Sequence, residues 1–125
     1  MRTVTRPTLC VVVAIAGGTL AARLSGALDR GLAASIAELL RRHEPLRRVY
    51  LEGSQLHSLD PVGALVLGQA LVERHRAGVH VVLLGMPAAL RRSLRHHPLS
   101  AFLEGDDGIF RDPDLEPFEL PASRH

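Results

Sequence analysis

Three side chains in one short segment carry the groups that a hydrolase uses as base, nucleophile and orienting acid: His57, Ser58 and Asp60. Neighbours along one segment do not generally converge into a catalytic triad, and no strand-turn-helix elbow motif surrounds the serine. Asp60-Pro61 instead combines a helix N-cap with a proline at the first helical position. We therefore expect a helix that begins here, and a protein that is not an enzyme.

The seven histidines and the single cysteine raise the question of a metal site. No two histidines have the i, i+4 or His-x-His spacing that places imidazoles on one ion, and Cys10 lies in an apolar, strand-like run. His80 is predicted to be a core histidine with satisfied hydrogen bonds, and His96-His97 a solvated helix end. Gly17-Gly18 lacks the spacing of a phosphate-binding loop. The sequence predicts no metal and no cofactor.

The composition is that of one folded domain. The chain has 125 residues, of which 46% are apolar and 22% charged, enough to bury a core. A single cysteine excludes a disulfide framework and favours a reducing, cytoplasmic setting. The longest apolar stretch, Leu9 to Ala16, is far shorter than the roughly 20 residues that span a bilayer. We expect neither a signal peptide nor direct membrane insertion.

The charges are unevenly distributed along the chain. Residues 1–103 contain thirteen arginines and six acidic residues, whereas residues 104–125 contain two arginines and seven acidic residues. A basic body suggests nucleic acid, but the arginines are scattered over several elements and the chain has only four aromatic residues. A solvated arginine surface is the usual reason for such a count, so no nucleic-acid partner is predicted.

The elements that must position the Asp60 segment begin with a predicted hairpin. Leu9 to Ile15 is a β-branched run, Gly17-Gly18 supplies a turn, and Thr19 to Leu28 alternates as a half-buried strand does. Asp29 is the candidate cap of a helix from Arg30 to His43, which Pro45 ends. The hairpin thus leads directly into the first helix.

A second helix should follow Asp60, from Pro61 to about Arg76. Before it, Val49-Tyr50-Leu51 forms a short strand, and the residues from Glu52-Gly53 to Asp60 form a loop that contains Ser54 and Ser58. The predicted solvent side of the helix begins with two apolar residues and continues with polar ones: Val62, Val66, Gln69, Glu73 and Arg76. Exposed apolar residues beside a capped helix start suggest a docking surface; the alternative is that a neighbouring loop covers them.

The remaining elements complete an alternating pattern. Residues 79–84 form an apolar run typical of a strand buried on both faces, Pro87 begins a third helix that extends through Leu94, and Gly108-Ile109-Phe110 suggests a last short strand. The order β-β-α-β-α-β-α-β predicts an α/β fold: a mixed sheet with an N-terminal hairpin, packed against three to four helices on one side or both, with right-handed crossovers.

Five short motifs in order resemble those of STAS domains, the fold of bacterial anti-sigma factor antagonists. They extend over roughly residues 9 to 118: Leu24-Ser25-Gly26-Ala27-Leu28-Asp29, Val49-Tyr50-Leu51-Glu52, Leu59-Asp60-Pro61-Val62-Gly63, Arg76-Ala77-Gly78 with Leu83-Leu84-Gly85, and Ile109-Phe110 with Asp114-Leu115-Glu116. The resemblance implies an N-terminal arm at 1–8, a STAS-like domain at 9–118 and a C-terminal tail at 119–125.

The resemblance also implies a binding surface. In the family, the first Ser or Thr after the aspartate is phosphorylated by an anti-sigma factor that is also a serine kinase, and the added charge disrupts docking. The matching position here is Pro61, which carries no hydroxyl, so Ser58 is the remaining phosphorylation candidate, with Ser54 nearby. The partner-binding residues implied are Ser58, Asp60, Pro61, Val62, Gly63, Val66 and Asp29.

Three functions are consistent with this resemblance. The first is a regulator that docks on a kinase-like anti-sigma factor or another regulatory protein through Asp60–Ala64, without phosphorylation. The second is an accessory STAS subunit of an ABC-type lipid transport complex. The third is a scaffold module in a signalling assembly, with the acidic tail as a second contact. Homo-oligomerisation is compatible with each of them.

Overall fold

An antiparallel hairpin begins the part of the chain, residues 9–103, that the computed structural model describes. Strands β1 (Leu9–Ala16) and β2 (Thr19–Leu28) are joined by Gly17 and Gly18, whose φ angles of 59° and 80° suit residues without a Cβ. The hairpin is confirmed. The predicted alternation of a half-buried strand is present from Ala22 to Leu28, whereas Thr19 to Ala21 are all buried.

Helix α1 (Arg30–Arg42) and strand β3 (Arg48–Leu59) come next. The helix ends one residue before the predicted His43, whereas the strand extends much further than Leu51. The prediction of a loop between Glu52 and Asp60 is therefore wrong. The polar residues in this stretch do not show the apolar pattern of a strand. The stretch nevertheless pairs with the second half of β2, with two register shifts, and Leu28 lies opposite Leu59.

Three further helices and one strand complete the described fold. Helix α2 has the predicted bounds, Pro61–Arg76. Strand β4 is His80–Leu84, helix α3 is Ala88–Ser93, and a short 3₁₀ helix is Pro98–Phe102. Helix α3 begins after Pro87 as predicted but ends before Leu94. The predicted strand at Gly108-Ile109-Phe110 lies outside the described residues.

The sheet has the order β1-β2-β3-β4, with β1 antiparallel to β2 and the other neighbours parallel. Its larger core lies on the face where α1, α2 and α3 pack. Alternate strand residues meet apolar helix residues there; the most deeply buried include Leu20, Leu24, Leu28, Leu51, Leu83, Ile36, Leu40, Leu67 and Leu71. The predicted mixed α/β sheet is confirmed.

The opposite face of the sheet has a smaller cluster of Ala21, Tyr50, Val82 and Leu84. Beside it lies a charged pair that the sequence analysis did not predict. Arg23 faces Glu52 across the β2–β3 ladder, with Nε 3.8 Å from Oε1, and the glutamate is buried. Buried nitrogens of Arg23 and the buried Oε1 of Glu52 have no hydrogen-bond partner, so the pair rests on charge attraction alone.

His96 is exposed after α3 as predicted, but the predictions for His80 and His97 are wrong. His80 is exposed at the start of β4, where its ring meets the edge of Tyr50 at a centroid distance of 6.0 Å. His97 is half-buried, and its Nδ1 accepts a hydrogen bond of 3.1 Å from Leu99 N at the start of the 3₁₀ helix. His80 is exposed because the end of its strand is open to solvent. His97 is half-buried because its imidazole nitrogen caps the 3₁₀ helix.

Candidate functional site

The carboxyl ends of β2 and β3 lie side by side, and a helix begins directly after each. Leu28 and Leu59 are register partners, and the N–H of Asp60 donates a hydrogen bond of 2.9 Å to the carbonyl of Leu28. The bond joins the two strand ends just before α1 and α2 start. Loops at the carboxyl edge of parallel strands are where α/β folds commonly place their binding residues.

Both helix starts are capped by the aspartates that the sequence predicts. Asp29 Oδ1 accepts from Leu32 N at 2.8 Å, and Asp60 Oδ2 accepts from Gly63 N at 3.0 Å. Each carboxylate thus satisfies an N–H that would otherwise lack a partner within its helix. The predicted capping roles are confirmed. Asp60 uses this carboxylate for its own helix, which agrees with the rejection of a His57-Ser58-Asp60 triad.

Gly63 places the two helix starts in direct contact. A Cβ added there would lie 2.6 Å from both Cα and the carbonyl oxygen of Asp29, and closer still to its carbonyl carbon. Real Cβ atoms do not approach backbone so closely, so only glycine fits without moving one helix. The close neighbour of Gly63 is thus the backbone of Asp29, the residue that caps α1.

The first turns of α2 carry two exposed apolar side chains, which we call the α2 patch: Val62, 43% exposed, and Leu65, 46% exposed. The prediction that Val62 is exposed is confirmed. Val66 is half-buried and packs against the core, so it is less exposed than predicted. The other predicted members of the solvent stripe, Gln69, Glu73 and Arg76, are exposed, and Leu65 takes the outward position that was predicted for Val66.

The hydroxyl groups near the α2 patch lie on β3. Ser54 is exposed and Ser58 is half-buried, and neither is on the predicted loop. Ser58 pairs with Ala27 directly before the pair of Leu28 and Leu59, whose side chains face the core. Since successive strand residues point to opposite faces, Ser58 points away from the helices. Pro61, one residue after the cap, is exposed at the first position of α2.

This edge has the features of a binding surface. Its carboxylates serve as helix caps, its apolar side chains are exposed, and its backbone is held by the contact of Gly63 with Asp29. Across residues 9–103, no three His, Cys, Asp or Glu side chains come together as a metal ligand set would require. The helices of that same range include none with the length and apolar character needed to cross a bilayer.

Comparison with protein-family models gives a match to the STAS domain over residues 11–114. No curated protein sequence shows significant similarity to the chain. Among solved structures, the anti-sigma factor antagonist SpoIIAA in its unphosphorylated form has a TM-score of 0.67 at 16% identity, and the match covers 90% of this chain and 99% of SpoIIAA. At that identity, the likeness concerns the fold.

Two structures of Mglu match a smaller part of the chain. The native form has a TM-score of 0.53 at 18% identity and the other a TM-score of 0.53 at 22% identity; both matches cover 58% of this chain. The chain spans only 22% and 18% of the length of these two Mglu structures. They share part of the fold, and SpoIIAA shares nearly all of it.

Proposed function

The chain belongs to the STAS domain family, and from this premise we propose that it is a regulatory binding module that docks on a kinase-like anti-sigma factor. STAS domains with the SpoIIAA-like fold are generally non-catalytic binding modules, and this general role fits the present chain. What we propose beyond this general role is the class of partner, a kinase-like anti-sigma factor, and the surface that binds it. The observation that carries it is the α2 patch, which joins exposed apolar area to a fixed helix start.

The physical case rests on preorganisation. A partner that packs against Val62 and Leu65 buries apolar area without first ordering a loop, because the caps and the Gly63 contact already hold the backbone. Asp29, Asp60, Pro61 and Gly63 support this surface, while Val66, half-buried one turn further on, supports the packing of α2. Ser58 lies at the margin of the contact.

Phosphorylation is not part of the proposed regulation at the family position. Pro61 has no hydroxyl, and the nearest side-chain hydroxyl in sequence, Ser58, belongs to a paired strand and points away from the helices. A kinase would have to unpair this end of β3 to bind the segment around Ser58 as a free peptide. We propose that the chain binds its partner constitutively, so incubation of the complex with ATP should leave it assembled.

Partner capture tests this proposal. The tagged chain is used as bait in an extract of its own cells, bound proteins are identified by mass spectrometry, and the recombinant partner is titrated by calorimetry. Val62→Asp should weaken binding by about 100-fold or more, because it places an unpaired charge in an apolar contact. Gln69→Asp adds the same charge to an exposed position of α2 beyond the patch and should bind like the unmodified chain.

Either of two outcomes would contradict the proposal. One is a folded Val62→Asp variant, with an unchanged circular dichroism spectrum, that retains full affinity. The other is recovery of the ATPase and permease of a lipid transporter, which would indicate the accessory-subunit function instead. Recovery of a protein with a histidine-kinase-like ATPase fold that is lost only in Val62→Asp supports both the partner class and the surface.

A further inference from the structure

The outer edge of the sheet, at β1, is the second place where large apolar side chains are exposed. Val11, Val12 and Ile15 are 50%, 38% and 43% exposed, and we call them the β1 edge. Within residues 9–103, β1 pairs with β2 only and stands at the end of the strand order. Its other edge therefore presents backbone N–H and C=O groups to whatever lies beside it.

This strand lacks the usual chemical protection of an edge. Natural edge strands carry charged side chains or proline that prevent pairing with other chains, whereas all eight residues of Leu9–Ala16 are uncharged and none is proline. Within β1 itself, a bulge between Val12 and Ala14 is the one protective device, and it leaves the stretch from Leu9 to Val12 regular. An uncharged, apolar free edge of this kind favours pairing with another strand.

Helix α1 creates a groove beside the same strand. The groove, of about 420 Å³, is lined by residues of β1 and by the outer side of α1: Cys10, Val12, Ala34, Ser35, Glu38, Leu39 and Arg42. Ala34 and Ser35 are small and exposed, so a second helix can approach α1 closely there. Glu38 and Arg42 are one turn apart with opposite charges, a pattern that complements itself when two copies face each other antiparallel.

We propose that the β1 edge is the interface of a homodimer in which the β1 strands of two copies pair antiparallel across a twofold axis. The sheet then continues through both copies, and each Glu38 faces Arg42 of the other copy. A twofold arrangement is the commonest for identical chains, and it lets one uncharged edge serve as its own partner. The proposal is independent of the α2 patch, which lies at the carboxyl ends of β2 and β3.

The spacing of the elements fits this arrangement. Neighbouring strands lie about 4.8 Å apart, so a twofold axis between two β1 strands passes about 2.4 Å from each. Helix α1 contacts both β1 and β2, and a position above the boundary between these strands would be about 5 Å from that axis. The two α1 helices would then be about 10 Å apart, which is the distance at which helices pack.

Light scattering coupled to size-exclusion chromatography tests the dimer. Across a dilution series, the unmodified chain should show twice its 13.5 kDa mass at the upper concentrations. Val12→Glu buries a charge at the axis and should raise the dimer dissociation constant by about 100-fold or more. Leu65→Glu, a similar change on the α2 patch, should leave the dimer intact. A monomer at every concentration, or equal effects of the two variants, would overturn the proposal.

A second measurement keeps the proposal testable if Val12→Glu does not fold. In a Cys10→Ala background, Ser35→Cys should be cross-linked between copies by a short bis-maleimide, because the α1 helices face each other across the axis. Gln69→Cys, on the outer side of α2, should remain uncrosslinked. Cross-linking of both variants to the same extent, or of neither, would contradict the β1 interface.

Discussion

The apolar side chains of the α2 patch and of the β1 edge are exposed to similar fractions, but the backbone beneath them is held in different ways. Val62 and Leu65 stand on a helix of sixteen residues whose start is capped by Asp60 and pressed against Asp29. The β1 edge stands on a strand that, among the described residues 9–103, pairs on one side only, contains a bulge, and is joined to β2 by two glycines. The first surface is preformed, whereas the second can still gain hydrogen bonds.

This difference indicates which kind of binding partner each surface favours. A preformed apolar patch loses little conformational entropy on docking, so it suits a partner that recognises shape. A strand edge offers backbone groups that another strand can pair with, so it suits addition of a strand. We therefore assign the regulatory partner to the α2 patch and the second copy of the chain to the β1 edge.

Among the variants that test this difference, Gly63→Ala should lower the free energy of unfolding most, because it displaces the fixed backbone under the α2 patch. The new methyl group cannot fit beside Asp29, so α1 and α2 must separate, and we expect a loss of about 3 kcal/mol in the free energy of unfolding. Urea unfolding followed by circular dichroism measures it. Gly68→Ala is the matched control, because its methyl group would meet neighbours no closer than 3.4 Å. Equal losses in the two variants would mean that the contact is not tight.

A smaller loss is expected from Arg23→Met on the sheet face opposite the helices. The change leaves the buried Glu52 carboxylate without its cation, and since Arg23 is about a quarter exposed, we expect about 2 kcal/mol. Arg23→Met combined with Glu52→Leu should recover most of that stability, because no lone charge stays buried. Chemical denaturation of the single and the double variant measures the two free energies of unfolding. A double variant no more stable than Arg23→Met would show that the lone buried carboxylate is not the cause of the loss.

The helix caps Asp29 and Asp60 should contribute less to the free energy of unfolding. Asp60→Ala removes the acceptor for Gly63 N and should cost about 1 kcal/mol, and Asp29→Ala should cost a similar amount at α1. Asp60→Asn keeps an acceptor oxygen and should stay close to the unmodified chain. Thermal unfolding compares the three variants. If Asp60→Asn were as unstable as Asp60→Ala, the carboxylate charge, and not the hydrogen bond, would hold the start of α2.

The smallest effect concerns the pH dependence at the β1 edge. Burial raises the pKa of the Cys10 thiol above its usual 9.0, so the folded chain keeps the proton at pH values where the unfolded chain has lost it. Below pH 9.0 ionisation of the thiol should cause little pH dependence, and above pH 9.0 the free energy of unfolding should fall relative to Cys10→Ala. Denaturation at a series of pH values measures the difference. A constant difference across that range would show that the thiol is not desolvated.

Local signals in the sequence predicted much of the fold. The Gly17-Gly18 turn, the caps at Asp29 and Asp60, and the bounds of α2 each depend on residues that act within one turn of the chain. The exposure of Val62, two residues after the Asp60 cap, was also predictable from the helical period. These features are predictable because their causes are contiguous: a side chain bonds its own helix, or a glycine permits its own φ.

Other features depend on residues far apart in sequence. The second half of β3 is largely polar, and its pairing with β2 holds Gln55 and Ser58 in a strand. The outward position of Leu65 and the inward lean of Val66 depend on how α2 rotates against the core, which the helical period alone does not fix. The pairing of Arg23 with Glu52 follows from the β2–β3 register, so no pattern in either segment predicts it.

Hydrogen–deuterium exchange of the chain with and without its captured partner tests the central claim most directly. We predict that partner binding slows exchange in peptides that contain the start of α2, residues 61–66, and leaves peptides of β1 unchanged. The unmodified chain and Val12→Glu should show the same protection, since the regulatory partner does not need the dimer. Protection of β1 peptides, with no change at the start of α2, would contradict the assignment of the partner to the α2 patch.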